Sequence, residues 1–77
     1  MDDPKVLFGN KIRILRQRLG WSQERLALEC NLDRSYIGEV ERGERNIALM
    51  NIFKIAKALK VQPGELLNFK GLKGTKN

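Results

Sequence analysis

The sequence predicts an all-α protein, a compact bundle of about five short helices in one small domain. A chain of 77 residues buries only about 60% of its unfolded surface, which favours helices joined by short connections. Apolar residues recur three and four positions apart, as on one face of a helix. Residues that cap or end helices separate these apolar segments.

The first helix is predicted over about 4 to 19. Asp3 supplies a capping oxygen, and Pro4 suits the first helical position because its missing N–H is not needed there. Gly20 ends the helix. The buried stripe consists of four apolar residues at helical spacing: Phe8, Ile12, Leu15 and Leu19.

Two shorter helices follow. Ser22 caps a second helix that runs to about Cys30, and Asp33 caps a third that runs to about Arg42. Gly43 ends the third helix, because glycine tolerates positive φ. The residues between Cys30 and Asp33 form a tight break, so the sequence places two short helices on either side of a turn.

The fourth helix is predicted over about 49 to 59, with a wide apolar face made by Leu49, Ile52, Phe53, Ile55, Ala56 and Leu59. The opposite side carries Met50, Lys54 and Lys57. Ala48 stands where a Ser or Thr cap is expected. A last short helix opens at 62–65, with Pro63 at its first position. We therefore expect one domain over 1–67 and a basic, flexible tail over 68–77, a segment rich in lysine and glycine.

Charge indicates the kind of partner. Fifteen Lys and Arg against nine Asp and Glu give a net charge of +6. Such an excess attracts polyanions, either nucleic acid or an anionic membrane surface.

Composition also excludes several functions. Cys30 is the single cysteine and the chain has no histidine, so neither an intrachain disulfide nor a zinc site is expected. The sequence has no phosphate-cradling glycine loop and no paired carboxylates in a plausible cleft. We therefore expect no enzyme activity, no cofactor and no metal. Without a signal peptide or a run of about 18 apolar residues, the protein is expected in the cytoplasm.

The third helix carries the candidate binding residues. On a helical wheel, Ile37 and Val40 define the buried side, and Ser35, Glu39 and Arg42 point away from it. Arg34 and Tyr36 lie at the N-terminal end and reach forward. A helix with a small polar outer face and a leading arginine suits the DNA major groove, where Arg bonds bidentately to guanine.

The stretch "SQERLALECNLDRSYIGEVERG" resembles the helix-turn-helix of the phage repressor and Cro class of DNA-binding domains. The matching residues are Ser22, Gln23, Leu26, Ala27, Ile37, Val40, Glu41 and Gly43. The resemblance covers roughly 6–67. Within this class, "LDRSYIGEVERGERNI" followed by "IAKAL" is similar to the controller proteins of restriction-modification systems, small dimeric regulators that bind palindromic operators.

The resemblance implies roles for individual residues. The residues expected to reach base edges are Arg34, Ser35 and Tyr36. Those expected to hold the DNA backbone are Gln23, Arg42, Arg45 and Asn46. Arg16 and Glu41 are expected to form a structural ion pair that ties the first helix to the third.

Three residues of the third helix have two interpretations. Gly38 costs about 1 kcal/mol relative to Ala in a helix, so it either permits close approach to DNA or is simply tolerated. Glu39 is unfavourable near phosphates, although its carboxylate can accept a hydrogen bond from cytosine. The Tyr36 ring contacts DNA or instead covers the edge of the core.

A homodimer is expected because one recognition helix reads few base pairs. The predicted dimer interface consists of late apolar residues: Met50, Leu66, Leu67 and Phe69. Leu66 and Leu67 have the alternative of ordinary packing onto the core, and both interpretations are compatible.

The sequence thus predicts a homodimeric, sequence-specific DNA-binding transcription regulator acting on a palindromic operator, most similar to restriction-modification controllers. The alternative is an antitoxin-like protein-interaction module that also binds DNA, which copurification with a toxin-sized partner would reveal. An activator of this class also contacts RNA polymerase. Glu39, Glu41 and Glu44 are the acidic candidates for that contact, with a solvated surface as the simpler interpretation.

Overall fold

A computed structural model describes residues 3–72. Its helices are α1 (Pro4–Arg18), α2 (Gln23–Cys30), α3 (Arg34–Glu41), α4 (Leu49–Leu59) and α5 (Pro63–Leu66), and this range contains no strand. The prediction of an all-α bundle with five short helices is confirmed. The first and third helices each end one residue earlier than predicted, with Leu19 and Arg42 as their C-caps.

Helix starts differ in how well they are capped. The Asp3 side chain accepts a hydrogen bond from the Lys5 backbone N–H at 2.9 Å. Ser22 Oγ accepts from the backbone N–H of Arg25 at 3.0 Å. Asp33 occupies the N-cap of α3 but makes no side-chain capping bond, and Ala48 likewise caps α4 without one. The start of α3 therefore keeps free backbone N–H groups.

The core takes one fully buried aliphatic side chain from every helix: Ile12, Leu26, Ile37, Ile55 and Leu66, each with 0% relative exposure. Burying a side chain of this size contributes about 1.5–3 kcal/mol. Because all five helices converge on one cluster, α3 is held with its Ile37 side inward and its other side toward solvent.

The structure corrects the prediction for Leu66. This side chain lies at the centre of the core, so it cannot contact a second copy of the chain. Leu67 is 55% exposed, because it follows the short α5 and lies outside the bundle.

The buried part of the apolar face of α4 is narrower than predicted. Leu49 and Phe53 were expected in the core but are 68% and 52% exposed, and Met50 beside them is 68% exposed. The neighbouring helices cover only one side of α4, where Ile55 and Ala56 are buried. The apolar surface of α4 is therefore wider than the bundle can cover.

Phe69 packs against the core and is half-buried. The packing of the domain thus extends beyond residue 67, where the sequence placed the start of a flexible tail. The remainder of that predicted tail, residues 73–77, lies outside the described residues.

Burial raises the pKa of the Cys30 thiol. Cys30 Sγ lies 3.8 Å from the Ala27 carbonyl oxygen, and the residue packs in the core. Over 3–72, no helix is both long and apolar enough to cross a lipid bilayer. The described part of the chain also lacks a group of three His, Cys, Asp or Glu side chains suited to a metal ion.

Gly9 permits the close approach of α1 to the end of α3. A Cβ at this position would lie 2.4 Å from the Val40 carbonyl oxygen and 2.6 Å from that of Glu41. Backbone atoms cannot yield as a flexible side chain does, so we expect Gly9→Ala to lower the free energy of unfolding by about 1–3 kcal/mol. Urea denaturation followed by circular dichroism measures this loss.

Gly64→Ala provides the matched control for Gly9→Ala. It is the same substitution in a helix, but a Cβ at Gly64 meets nothing within 4 Å. We expect no loss of stability, because alanine favours helix more than glycine does. Equal losses in the two variants would contradict a steric role for Gly9.

Candidate nucleic-acid interface

A short turn sets the angle between α2 and α3. Asn31 ends α2 in the left-handed region, at φ 58°, which asparagine adopts more readily than most residues. The N–H of Leu32 then donates to the Ala27 carbonyl oxygen at 2.9 Å. The chain turns within residues 31–33 and enters α3 at Arg34. Two short helices are thereby joined by a compact turn.

A buried ion pair fixes the C-terminal end of α3. Arg16 Nε and Nη2 donate to the two carboxylate oxygens of Glu41 at 2.6 and 2.9 Å. The Glu41 side chain is completely buried, and its carboxylate raises the pKa of Arg16. Gln23 Nε2 also donates to Glu41 Oε1 at 3.0 Å. One carboxylate therefore ties α1 and the start of α2 to α3.

Arg34 and Ser35 lie at the opposite, N-terminal end of α3. Both are exposed. Over the described residues, neither side chain makes a hydrogen bond or an ion pair with the rest of the protein. A guanidinium and a hydroxyl are thus free to bond a ligand that approaches the start of this helix.

Tyr36 lies on α3 and its side chain contacts α4. Its ring is half-buried against the core. Its hydroxyl oxygen accepts a hydrogen bond from Asn51 Nδ2 at 3.0 Å, and the Arg45 guanidinium lies 5.1 Å from the ring centre. The ring therefore covers the edge of the core, which is one of the two interpretations of Tyr36. The hydroxyl proton remains available to donate a hydrogen bond.

The residues predicted to hold the DNA backbone differ from Arg34 because most already have partners. Arg42 Nε donates to Glu44 at 3.0 Å, and Arg45 Nε donates to Glu39 at 2.7 Å. The neighbouring carboxylates raise the pKa values of both arginines. All four side chains are between 35% and 55% exposed, so these ion pairs lie at the surface. Solvent screens such pairs, so each contributes little to the stability of the fold.

Gly38 lies under two of these side chains. A Cβ there would meet Arg42 Nη1 at 3.2 Å and Gln23 Oε1 at 3.6 Å. Gly38 is buried beneath them, so a third explanation for this glycine is space for the side chains of its neighbours.

Several contacts around the site were not predicted from sequence. They are the hydrogen bond from Asn51 to Tyr36, the pairing of Glu39 with Arg45, and the bond from Arg13 Nη2 to the Glu41 carbonyl oxygen at 2.9 Å. Asn51 is a polar residue in the apolar first turn of α4, which is the one signal that a sequence reading offers for its contact.

Two short helices joined by a tight turn, with the outer side of the second exposed at its start, form the arrangement of a helix-turn-helix protein. The helix-turn-helix family matches residues 12–66. The chain therefore belongs to this family, as the sequence predicted.

Similar proteins narrow the family further. The control protein C.BamHI of Bacillus amyloliquefaciens is 54% identical over 66 residues, covering 84% of this chain and 82% of that protein. The control protein C.MunI of Mycoplasma sp is 41% identical over 69 residues, or 88% of this chain and 93% of that protein. The crystal structure of the restriction-modification controller protein C.AhdI from Aeromonas hydrophila matches with a TM-score of 0.79 and 55% identity, covering 80% of this chain and 94% of that one. The predicted similarity to controller proteins is confirmed.

Proposed function

We propose that this chain is a restriction-modification controller protein, a transcription regulator that binds a palindromic operator as a homodimer in the cytoplasm. The proposal rests on two adjacent residues at the start of α3, Arg34 and Ser35. Both are exposed, and neither side chain has a partner in the described chain. The similarity to C.BamHI and C.AhdI supports the same role. The proposed activity is binding and not catalysis.

The proposed mechanism places α3 in the major groove. Arg34 forms a bidentate contact with guanine, and Ser35 contacts a neighbouring base edge. Tyr36 lies beside them, where its hydroxyl reaches a phosphate or its ring a thymine methyl group. Backbone contacts from residues 42–46 and Gln23 fix the register of the helix on the duplex. The second N–H of the Gln23 amide remains for a phosphate while the first donates to Glu41.

Selection of bound duplexes from a random DNA library tests this function. We expect enrichment of a palindrome whose half-sites lie about one helical turn apart. Titration of the selected duplex at two salt concentrations then separates specific from electrostatic binding. Binding that is salt-sensitive but blind to sequence would contradict the proposal.

We place the dimer interface on an exposed apolar surface, the α4 surface, made of Leu49, Met50 and Phe53, where Phe53 follows the other two by four and three residues on α4. We include in this surface the exposed Leu67 that follows α5. Each is between 52% and 68% exposed. Clustered apolar side chains of this size mark association surfaces. Met50 and Leu67 were predicted for this role from the sequence, and Leu49 and Phe53 replace Leu66 because they are accessible. Phe69, half-buried against the core, lies beside Leu67 in a groove lined by both residues.

Phe53→Arg is expected to dissociate the dimer. The change puts a charge into an apolar interface while leaving the core intact, because Phe53 is 52% exposed. Sedimentation velocity should show the monomer at micromolar concentration, and operator affinity should fall with it. Leu28→Arg is the matched control for the oligomeric state, since Leu28 is 77% exposed on α2 and lines a different groove from Met50 and Phe53. Because that groove also contains Arg34, this control is compared by sedimentation and not by operator affinity. A dimer that persists in the Phe53 variant would contradict this interface.

A contact with RNA polymerase belongs to the same proposal. Among the acidic candidates, Glu41 is completely buried and is therefore excluded. Glu39 and Glu44 remain, and each is paired with an arginine at the surface. We favour Glu44 as the polymerase contact because Glu39 has a second role, described next.

A further inference from the structure

We infer that Glu39 is a positioning residue: its carboxylate holds Arg45 across the Tyr36 ring and thereby sets the specific contact of Arg45 with DNA. The inference rests on the proposed DNA-binding function. It gives a role to an acidic side chain on the outer face of α3, where the phosphate backbone should disfavour a negative charge.

The geometry joins three parts of the chain. Glu39 lies on α3 and Arg45 in the loop between α3 and α4, and the Arg45 Nε to Glu39 Oε1 distance is 2.7 Å. The same guanidinium lies 5.1 Å from the centre of the Tyr36 ring. Tyr36 is itself fixed by the hydrogen bond from Asn51 on α4. The arginine is therefore restrained by a carboxylate and by an aromatic face.

This arrangement leaves Arg45 partly available. Only Nε of the guanidinium makes a hydrogen bond with Glu39, so the two terminal nitrogens and their four N–H donors remain for a phosphate. Arg45 is 52% exposed. A restrained guanidinium loses less side-chain entropy on binding than a free one. Glu39 thus favours a contact at one defined position on the duplex over diffuse attraction to any duplex.

Charge and positioning predict opposite effects for Glu39→Ala. Loss of a carboxylate near phosphates should by itself tighten binding to every duplex. Loss of the restraint should weaken operator binding about three- to tenfold while binding to an unrelated duplex stays equal or tightens. Glu39→Gln retains an acceptor for Arg45 Nε, so operator affinity should largely recover in that variant.

The chain contains a matched control. Glu29 pairs with Arg25 at 2.8 Å, and the Arg25 guanidinium lies 4.8 Å from the Trp21 ring. This is the same carboxylate, guanidinium and aromatic arrangement with the same charge. It lines a groove between α2 and α4 that contains none of the proposed DNA-contacting residues. Glu29→Ala should leave the ratio of specific to nonspecific affinity unchanged.

The experiment measures affinities of the full chain for the selected operator and for an unrelated duplex of equal length, at two salt concentrations. The proteins are wild type, Glu39→Ala, Glu39→Gln, Glu29→Ala, Arg45→Ala and the double variant Glu39→Ala/Arg45→Ala. We expect Arg45→Ala to lower the salt slope by about 1 and Glu39→Ala to leave it at or above the wild-type value. In the Arg45→Ala background, Glu39→Ala should cause no further loss of specificity.

Two results would overturn the inference alone. One is tighter operator binding by Glu39→Ala, which would make the carboxylate merely repulsive. The other is an equal loss from Glu39→Ala with and without Arg45, which would mean that Glu39 contacts DNA by itself. Failure of the wild type to prefer any operator would instead overturn the proposed function, and this inference with it.

Discussion

Arg34→Ala is expected to reduce affinity for the selected operator by about 1–3 kcal/mol and to relax the preference at one base pair of each half-site. The reason is that Arg34 starts α3 and its exposed side chain makes no hydrogen bond or ion pair with the rest of the described protein. The N–H donors of its guanidinium are therefore available to DNA. Competition binding with operators changed at one position at a time measures both effects.

Two further variants separate geometry from charge. Arg34→Lys keeps the charge but loses the planar fork that bonds guanine through two N–H groups, so specificity should fall while the salt slope stays near the wild-type value. Arg18→Ala removes an equal charge from an exposed position on α1 and should leave the base preference intact. Uniform weakening of Arg34→Ala on all sequences would contradict base recognition.

Glu41→Ala is expected to cause the largest loss of stability, about 3–5 kcal/mol. The Glu41 side chain is completely buried and that of Arg16 is 11% exposed, so the substitution leaves a guanidinium with little solvent and without its carboxylate. Gln23 loses its acceptor at the same time. Since a small domain has about 5–15 kcal/mol of total stability, much of the fold's margin would be lost. Urea denaturation monitored by circular dichroism gives the value.

Removing both charges of the Arg16–Glu41 ion pair should lower the free energy of unfolding less than removing the carboxylate alone. In Arg16→Met/Glu41→Leu no buried charge remains unpaired, and apolar replacement of a buried ion pair is often close to neutral. We therefore expect the double variant to be more stable than Glu41→Ala. A double variant as unstable as the single one would mean that the hydrogen bonds to Gln23 and to the Trp21 carbonyl oxygen, and not the unpaired charge, dominate the loss.

The predicted binding residues separate into two groups in the structure. Arg34 and Ser35 are exposed. The helical wheel of α3 indicates this for Ser35, and the position at the N-terminal end of α3 indicates it for Arg34, because these orientations depend only on the helix itself. Arg42 and Arg45 pair with nearby carboxylates. Those pairings depend on the path of the loop after Gly43, for which the sequence offers no periodic pattern.

The sequence by itself determined the five helices, their ends to within a residue or so, and the inward side of α3 marked by Ile37 and Val40. These features follow from local rules, because apolar spacing, capping residues and glycine stops act within a few positions of the chain. The family followed from the same local segment, since the turn and its flanking residues occupy fixed positions in it.

Only the tertiary structure decided which side chains are covered by neighbouring helices. Leu66 is buried and Phe53 exposed, although both are apolar residues of late helices, because coverage depends on which neighbouring helices lie over them. A side chain at Gly9 would clash with backbone atoms of α3 that are distant in sequence. Glu39 gains a partner only when the loop brings Arg45 back over Tyr36. Such contacts are set by the packing of whole helices, and no local pattern encodes them.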